Sequence, residues 1–235
     1  MPGLIERTGG EDGSTQDPLE HTRASWEASM LAQLDTLRTS LRLEPPSRIA
    51  WRCGAALREM SLELAYWGEG VTVEWPALIP LHPDGNPHST FDSAMVLYYL
   101  SRADGETPAG KWIGFRELPG GGFYHQAFQG YTGDQICRGF EAAPAALGQS
   151  AAAIGGWPVA DLGEYAYAFQ PFPLIRLAAV LWLGDEEIPS RAVVLFDEVA
   201  SHHLPTDGLA LLGSGLTRRL LAHAERDQAR PSRQP

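Results

Sequence analysis

Residues 174–196, LIRLAAVLWLGDEEIPSRAVVLF, hold two apolar runs separated only by a short, glycine-led acidic connector. No other stretch constrains the fold as strongly. Both runs are rich in the Leu, Ile, Val and Phe that pack well on a pleated surface. The connector is too short for the crossover that parallel strands need, so the two strands are expected to pair antiparallel through Gly184-Asp185-Glu186-Glu187. A second antiparallel signal is LELAYWGEGVTVEW, which alternates Leu62, Leu64 and Tyr66 on one face. It resumes with Val71, Val73 and Trp75 after Gly68-Glu69-Gly70, the pattern of a hairpin with glycines at its turn. YAYAF at 165–169 adds one more strand.

Helical spacing fills the intervals. Trp26, Met30, Leu34, Leu37 and Leu41 recur at three- and four-residue steps, and Glu44-Pro45-Pro46 ends that run. A short helix is expected over 49–53 with Gly54 as its stop. Ser89 or Thr90 caps a helix carrying Met95, Leu97, Tyr98 and Leu100. Helical pieces follow near 124–129, 135–141 and 144–154. Leu209, Leu212, Leu216 and Leu220 mark a closing helix with Thr206 or Asp207 at its start. PLHPDGNPH at 80–88 is expected to lack regular structure. Strands in hairpins with helices in runs between them predict an α+β fold: an antiparallel sheet of about five strands with helices packed on it. With no internal repeat and no clear linker, a single domain over 18–226 is expected, between disordered tails at 1–17 and 227–235.

The chain has 235 residues and a formal net charge of −11. That charge repels phosphate backbones, so nucleic acid is not an expected partner. The basic residues Arg218, Arg219, Arg226, Arg230 and Arg233 read as spread over both faces of the closing segment. No apolar run approaches the ~20 residues of a membrane span. The acidic, glycine-rich start lacks the basic and apolar regions of a signal peptide, which predicts a cytoplasmic protein. Two cysteines, Cys53 and Cys137, allow no disulfide framework.

GKWIGFRELPGGGFYHQAF at 110–128 and LFDEVASHHLPTDGLALLG at 195–213 resemble the two signature segments of a prokaryotic family, domain of unknown function (DUF) 3786. IGGWPV and LWLGDEEIPSRAVVLFD between them are similar in order and spacing, and the likeness runs from about Ala24 to Leu221. The resemblance carries no established activity. It implies company with anaerobic corrinoid or redox metabolism, because some relatives bear an added four-cysteine iron–sulfur segment. Two cysteines do not make such a cluster. Where His203 stands, the family pattern often has an aromatic residue.

Two regions carry candidate chemistry. Around 103–122 a long loop dense in Gly and Pro contains Trp112, Arg116 and Glu117, with Tyr124 and His125 just beyond. Arg116 suits a carboxylate or phosphate, and the glycines could present amides to an anion. The plain alternative is an ion pair tying the loop down. Around 197–203, Asp197 and His202 form a candidate acid–base pair, while His203 faces the other way in an extended chain. The plain alternative is a strand-to-helix corner. Neither a nucleotide-binding glycine pattern nor a serine-nucleophile elbow is present. His82 and His88 sit among Pro and Gly, where spacing sets no geometry for a metal.

The expected function is that of a small-molecule or cofactor-binding accessory protein, with a tetrapyrrole or corrinoid implied only by the family's company. No metal site is assigned and the cofactor is left open. An enzyme using His202, Arg116 and a carboxylate, or an adaptor for a protein partner, are the alternatives. The site would lie where the glycine-dense span folds over the handover from last strand to last helix.

Overall fold

The computed structural model describes Ala28 and residues 31–228. Trp26, Met30, the tail at 1–17 and most of the tail at 227–235 lie outside the described residues. The expected first helix is seen as α1 (Leu34–Leu41), burying Leu34 and Leu41. The next helix, α2 (Pro46–Cys53), starts three residues before the expected Ile49. Pro46 stands at its first position, where the fixed ring φ is already helical and the missing N–H costs nothing. Gly54 closes it in the left-handed conformation, φ +63°.

The first hairpin forms as read, β2 (Ser61–Tyr66) on β3 (Glu69–Glu74), with Leu62 opposite Val73. It does not join the strands of the later hairpin side by side. Two short strands, β1 (Ala56–Arg58) and β4 (Ile79–Leu81), flank it instead and complete a four-stranded antiparallel sheet. Pro80 and Leu81 are therefore strand residues, a correction to the irregular segment expected there.

Ser89 caps α3 (Thr90–Arg102), its hydroxyl accepting from the Asp92 amide at 3.1 Å. Every residue from Ser93 to Leu100 is buried, so this helix runs through the core and shows no one-sided stripe. Beyond it come β5 (Trp112–Gly114), α4 (His125–Tyr131), α5 (Gly133–Phe140), α6 (Ala145–Ala153) and β6 (Trp157–Pro158). The chain then makes β7 (Tyr165–Phe172), β8 (Ile175–Trp182), β9 (Arg191–Asp197), the single turn α7 (Ala200–His203) and α8 (Thr206–Gln228). The last helix thus passes the boundary expected at 226.

A five-stranded antiparallel sheet results, in the order β5-β9-β8-β7-β6. Its apolar face is built from Leu177, Ala179, Leu181, Val194 and Phe196, all buried. α5 lies against β9 and α6 against β7, and α8 packs across both helices. The small sheet joins the large one where the Trp67 amide donates to the Pro171 carbonyl at 2.9 Å. This α+β arrangement is a single domain around one continuous core.

Candidate functional site

The glycine-dense span does fold onto the corner. Ala109 and Gly110 donate their amides to the Asp197 carboxylate at 3.0 and 2.7 Å, and the Val199 amide adds a third bond at 3.2 Å. The Glu198 amide donates to the Lys111 carbonyl, and the Thr206 hydroxyl reaches the Pro119 carbonyl at 2.7 Å. Asp197 is fully buried. Its lone pairs are spent on backbone donors, which makes it the anchor of the loop. The carboxylate that holds His202 is Asp104, with Nδ1 to Oδ2 at 2.9 Å. Burial alone would raise the Asp104 carboxyl, but the Glu106 amide and His202 hold it below its ordinary range.

The remaining predicted residues disperse over the loop surface. Glu117 accepts from the Gly114 amide at 2.7 Å and closes a 3-10 turn, while Arg116 beside it is exposed. Trp112 is half-buried in β5 opposite Asp197. Tyr124 is exposed, and His125 contacts the Gly122 carbonyl through Nδ1 at 3.0 Å. Gly121 serves packing. A Cβ on Gly121 would stand 1.9 Å from the Phe115 carbonyl oxygen, and Phe115 stacks on Phe128 at 4.1 Å. The amides of Gly121, Phe123 and Tyr124 are taken by turn carbonyls, so they do not form an anion nest.

His203 is buried completely, with Nδ1 3.7 Å from Asp104. Burial pushes its pKa below the ordinary imidazole value. The unfolded chain then binds a proton near the ordinary imidazole value of about 6.5 that the folded chain refuses. Stability therefore falls as pH drops from there toward the lowered folded pKa, by up to about 1.4 kcal/mol per pH unit for one such group. His203→Phe is expected to flatten this dependence, seen as a smaller loss of melting temperature between pH 7.5 and 5. An unchanged loss would show that His203 does not carry the effect.

Two adjoining cavities open elsewhere, and none of the predicted residues lines either one. The first, about 430 Å³, lies between α8, the start of α3 and the β2–β3 turn, and takes in Trp67, Arg218, Arg219 and Arg226. The second, about 640 Å³, continues past Glu69, His82 and His88. Tyr66, Trp67, Asp92, Ile154 and Arg219 belong to both, so they form one groove. Each volume is within the range of small-molecule sites.

Local structure positions this wall. His82 and His88 lie at the two ends of a closed loop, in which the His82 amide donates to Asn86 and the His88 amide to Pro80, at 2.8 and 3.0 Å. A bridge between Leu81 and Pro87 and a left-handed Gly85, φ +82°, tighten it. The two imidazoles stack with centroids 3.5 Å apart. His82 meets Glu69 through Nδ1 at 2.8 Å. Asp92 accepts from the Tyr66 hydroxyl at 3.0 Å and the Ser89 hydroxyl at 2.7 Å. Burial, and after it the Asp92 charge, push the Tyr66 phenol well above its ordinary range, so it stays a neutral donor. Across the groove the Arg219 guanidinium lies 4.7 Å over the Trp67 ring.

Residues 45–219 match the family model described as "Domain of unknown function (DUF3786)". This chain belongs to the DUF3786 family. No curated protein and no solved structure matches it. The matched span includes Glu69, His82, His88, Asp92, Arg218 and Arg219, whereas Arg226 lies beyond it.

In this DUF3786 domain the three arginines that the sequence scatters over both faces line one cavity. The signal was the step of seven from Arg219 to Arg226, two helical turns on one side, with the small residues Gly215 before them and Ala222 between them on the same cavity wall. Among the described residues, no group of three or more His, Cys, Asp or Glu side chains is placed to hold a metal, and no helix is long and apolar enough to cross a membrane. Cys53 is buried, which pushes its thiol up to about 12, far from a reactive thiolate.

Proposed function

We propose that this DUF3786 protein binds a small anionic molecule with a flat apolar part in the groove between α8 and the β2–β3 hairpin. The observation that carries this reading is the Arg219 guanidinium stacked on Trp67 in a ligand-sized cavity whose wall also holds Arg218 and Arg226. Arginine forks pair bidentately with carboxylate and phosphate oxygens, and the aromatic wall receives a ring face. A tetrapyrrole or corrinoid with peripheral carboxylates belongs to this class, as does an aryl phosphate. Calorimetric titration with haemin and with the non-hydrolysable benzylphosphonate tests the reading. Saturable binding of at least one supports it and tells the two anion types apart. Binding of neither overturns it.

A second reading, a site at the corner, is favoured by the half-exposed His202 imidazole held by Asp104. Its members are His202, Arg116 and the neighbouring Trp112, Glu117, Tyr124 and His125, with Asp197 as anchor beneath. Arg116→Ala and His202→Ala change exposed side chains and are expected to shift stability by no more than about 0.5 kcal/mol. The groove reading predicts unchanged ligand affinity in both variants. A tenfold loss in either would move the site to the corner.

A further inference from the structure

We propose that the groove is also an active site, in which Glu69 and His82 activate water for hydrolysis of a phosphate monoester. This rests on the groove being the ligand site and names the substrate class and the reaction.

His82 lines the 640 Å³ cavity and is oriented by a carboxylate, Nδ1 to Glu69 Oε1 at 2.8 Å. With Nδ1–H donating to Glu69, the lone pair sits on Nε2, the arrangement of a general base steered by an acidic partner. His82 presents its ring face to His88, which is 7% exposed and whose Nε2 has no hydrogen-bond partner. Burial first, and then the charge His82 would carry, hold His88 below the ordinary imidazole range.

The anion end of the groove fits this chemistry. Arg219 lines both cavities, the second of which it shares with His82 and His88. Its guanidinium offers fork donors to the oxygens of a doubly charged phosphoryl group, and such a group stabilises the charge that develops in transfer. The two carboxylates in the wall are already engaged, Glu69 by His82 and Asp92 by Tyr66 and Ser89.

The step is balanced with water alone. Nε2 of His82 takes a proton from water as the oxygen attacks phosphorus. The new P–O bond forms while the bond from phosphorus to the ester oxygen breaks on the opposite side, the leaving oxygen takes a proton from solvent water, and His82 returns its own proton to solvent. Inorganic phosphate and an alcohol or phenol are released. Glu69 is a positioning residue, since it acts through His82.

The test uses the full chain with p-nitrophenyl phosphate as substrate and benzylphosphonate as binding probe. Wild type is expected to release p-nitrophenol. His82→Asn is expected to lower kcat at least ~100-fold, within the usual worth of general acid–base catalysis, while benzylphosphonate affinity stays within about threefold. Glu69→Gln is expected to lower kcat about tenfold or more at unchanged KM, a split that a purely structural role would not produce. Wild type that binds benzylphosphonate yet releases no p-nitrophenol overturns the catalytic proposal and leaves the binding reading standing. So does a His82→Asn variant with wild-type turnover. Wild type that does not bind benzylphosphonate overturns the catalytic proposal as well, and the binding reading then rests on haemin alone.

Discussion

Asp197→Ala is expected to lower unfolding stability by about 3–5 kcal/mol, the range in which several buried polar groups lose their partner together. The carboxylate is fully buried and accepts from three amides, those of Ala109, Gly110 and Val199. Two of these belong to the loop before β5 and one to the turn that starts α7. Removing the side chain strands all three donors and unpins the loop from the sheet edge. In a chain of this size each kcal/mol moves the melting temperature by roughly 2–4 °C, so a fall of roughly 6–20 °C is expected by calorimetry. Asp197→Asn should recover part of the loss, because one amide oxygen still accepts while the NH2 group opposes a donor. A shift under about 2 °C would assign Asp197 to the corner site instead.

Arg219→Glu is expected to weaken benzylphosphonate or haemin binding at least about 100-fold. A charge-assisted guanidinium–anion pair contributes roughly 1.5–3 kcal/mol, and reversal adds repulsion to its loss. The same change removes a cation–π contact worth about 0.5–1 kcal/mol, so folding should suffer far less than binding. Arg219→Lys separates charge from shape. It keeps the cation but neither the fork nor the planar stack on Trp67, and an intermediate affinity is expected. Equal affinity in all three proteins, measured by titration calorimetry, would remove Arg219 from the site.

The parts of the fold legible in the sequence are those with long periodic signals. β8 and β9 were readable from two apolar runs and their connector, and α3 from Ser89 and the apolar residues behind it. The edge strands were not. Trp112–Gly114, Trp157–Pro158 and Ile79–Leu81 are two or three residues long and contain Gly or Pro, so no period can show. Their pairing is decided by the neighbouring strand.

The candidate site was less legible, for the same reason in three dimensions. The loop did fold over the corner, but its contacts fill that place with backbone bonds to Asp197. Asp104, the partner of His202, lies 98 residues away in sequence and gave no local sign. His82 and His88 were visible residues without visible geometry, because Pro83, Gly85 and Pro87 mask the bridge that closes their loop. An imidazole, a carboxylate and a guanidinium, the groups expected at the corner, also line the second cavity as His82, Glu69 and Arg219. The helical step between Arg219 and Arg226 was the one readable clue to that face.

A crystal structure of the protein soaked with benzylphosphonate tests the location of the ligand site most directly. The account predicts phosphonate density within hydrogen-bonding distance of Arg219, with the ring against Trp67 and the His82 imidazole facing the phosphorus. Density beside Arg116 and His202, or a groove that stays empty under saturating probe, would contradict it.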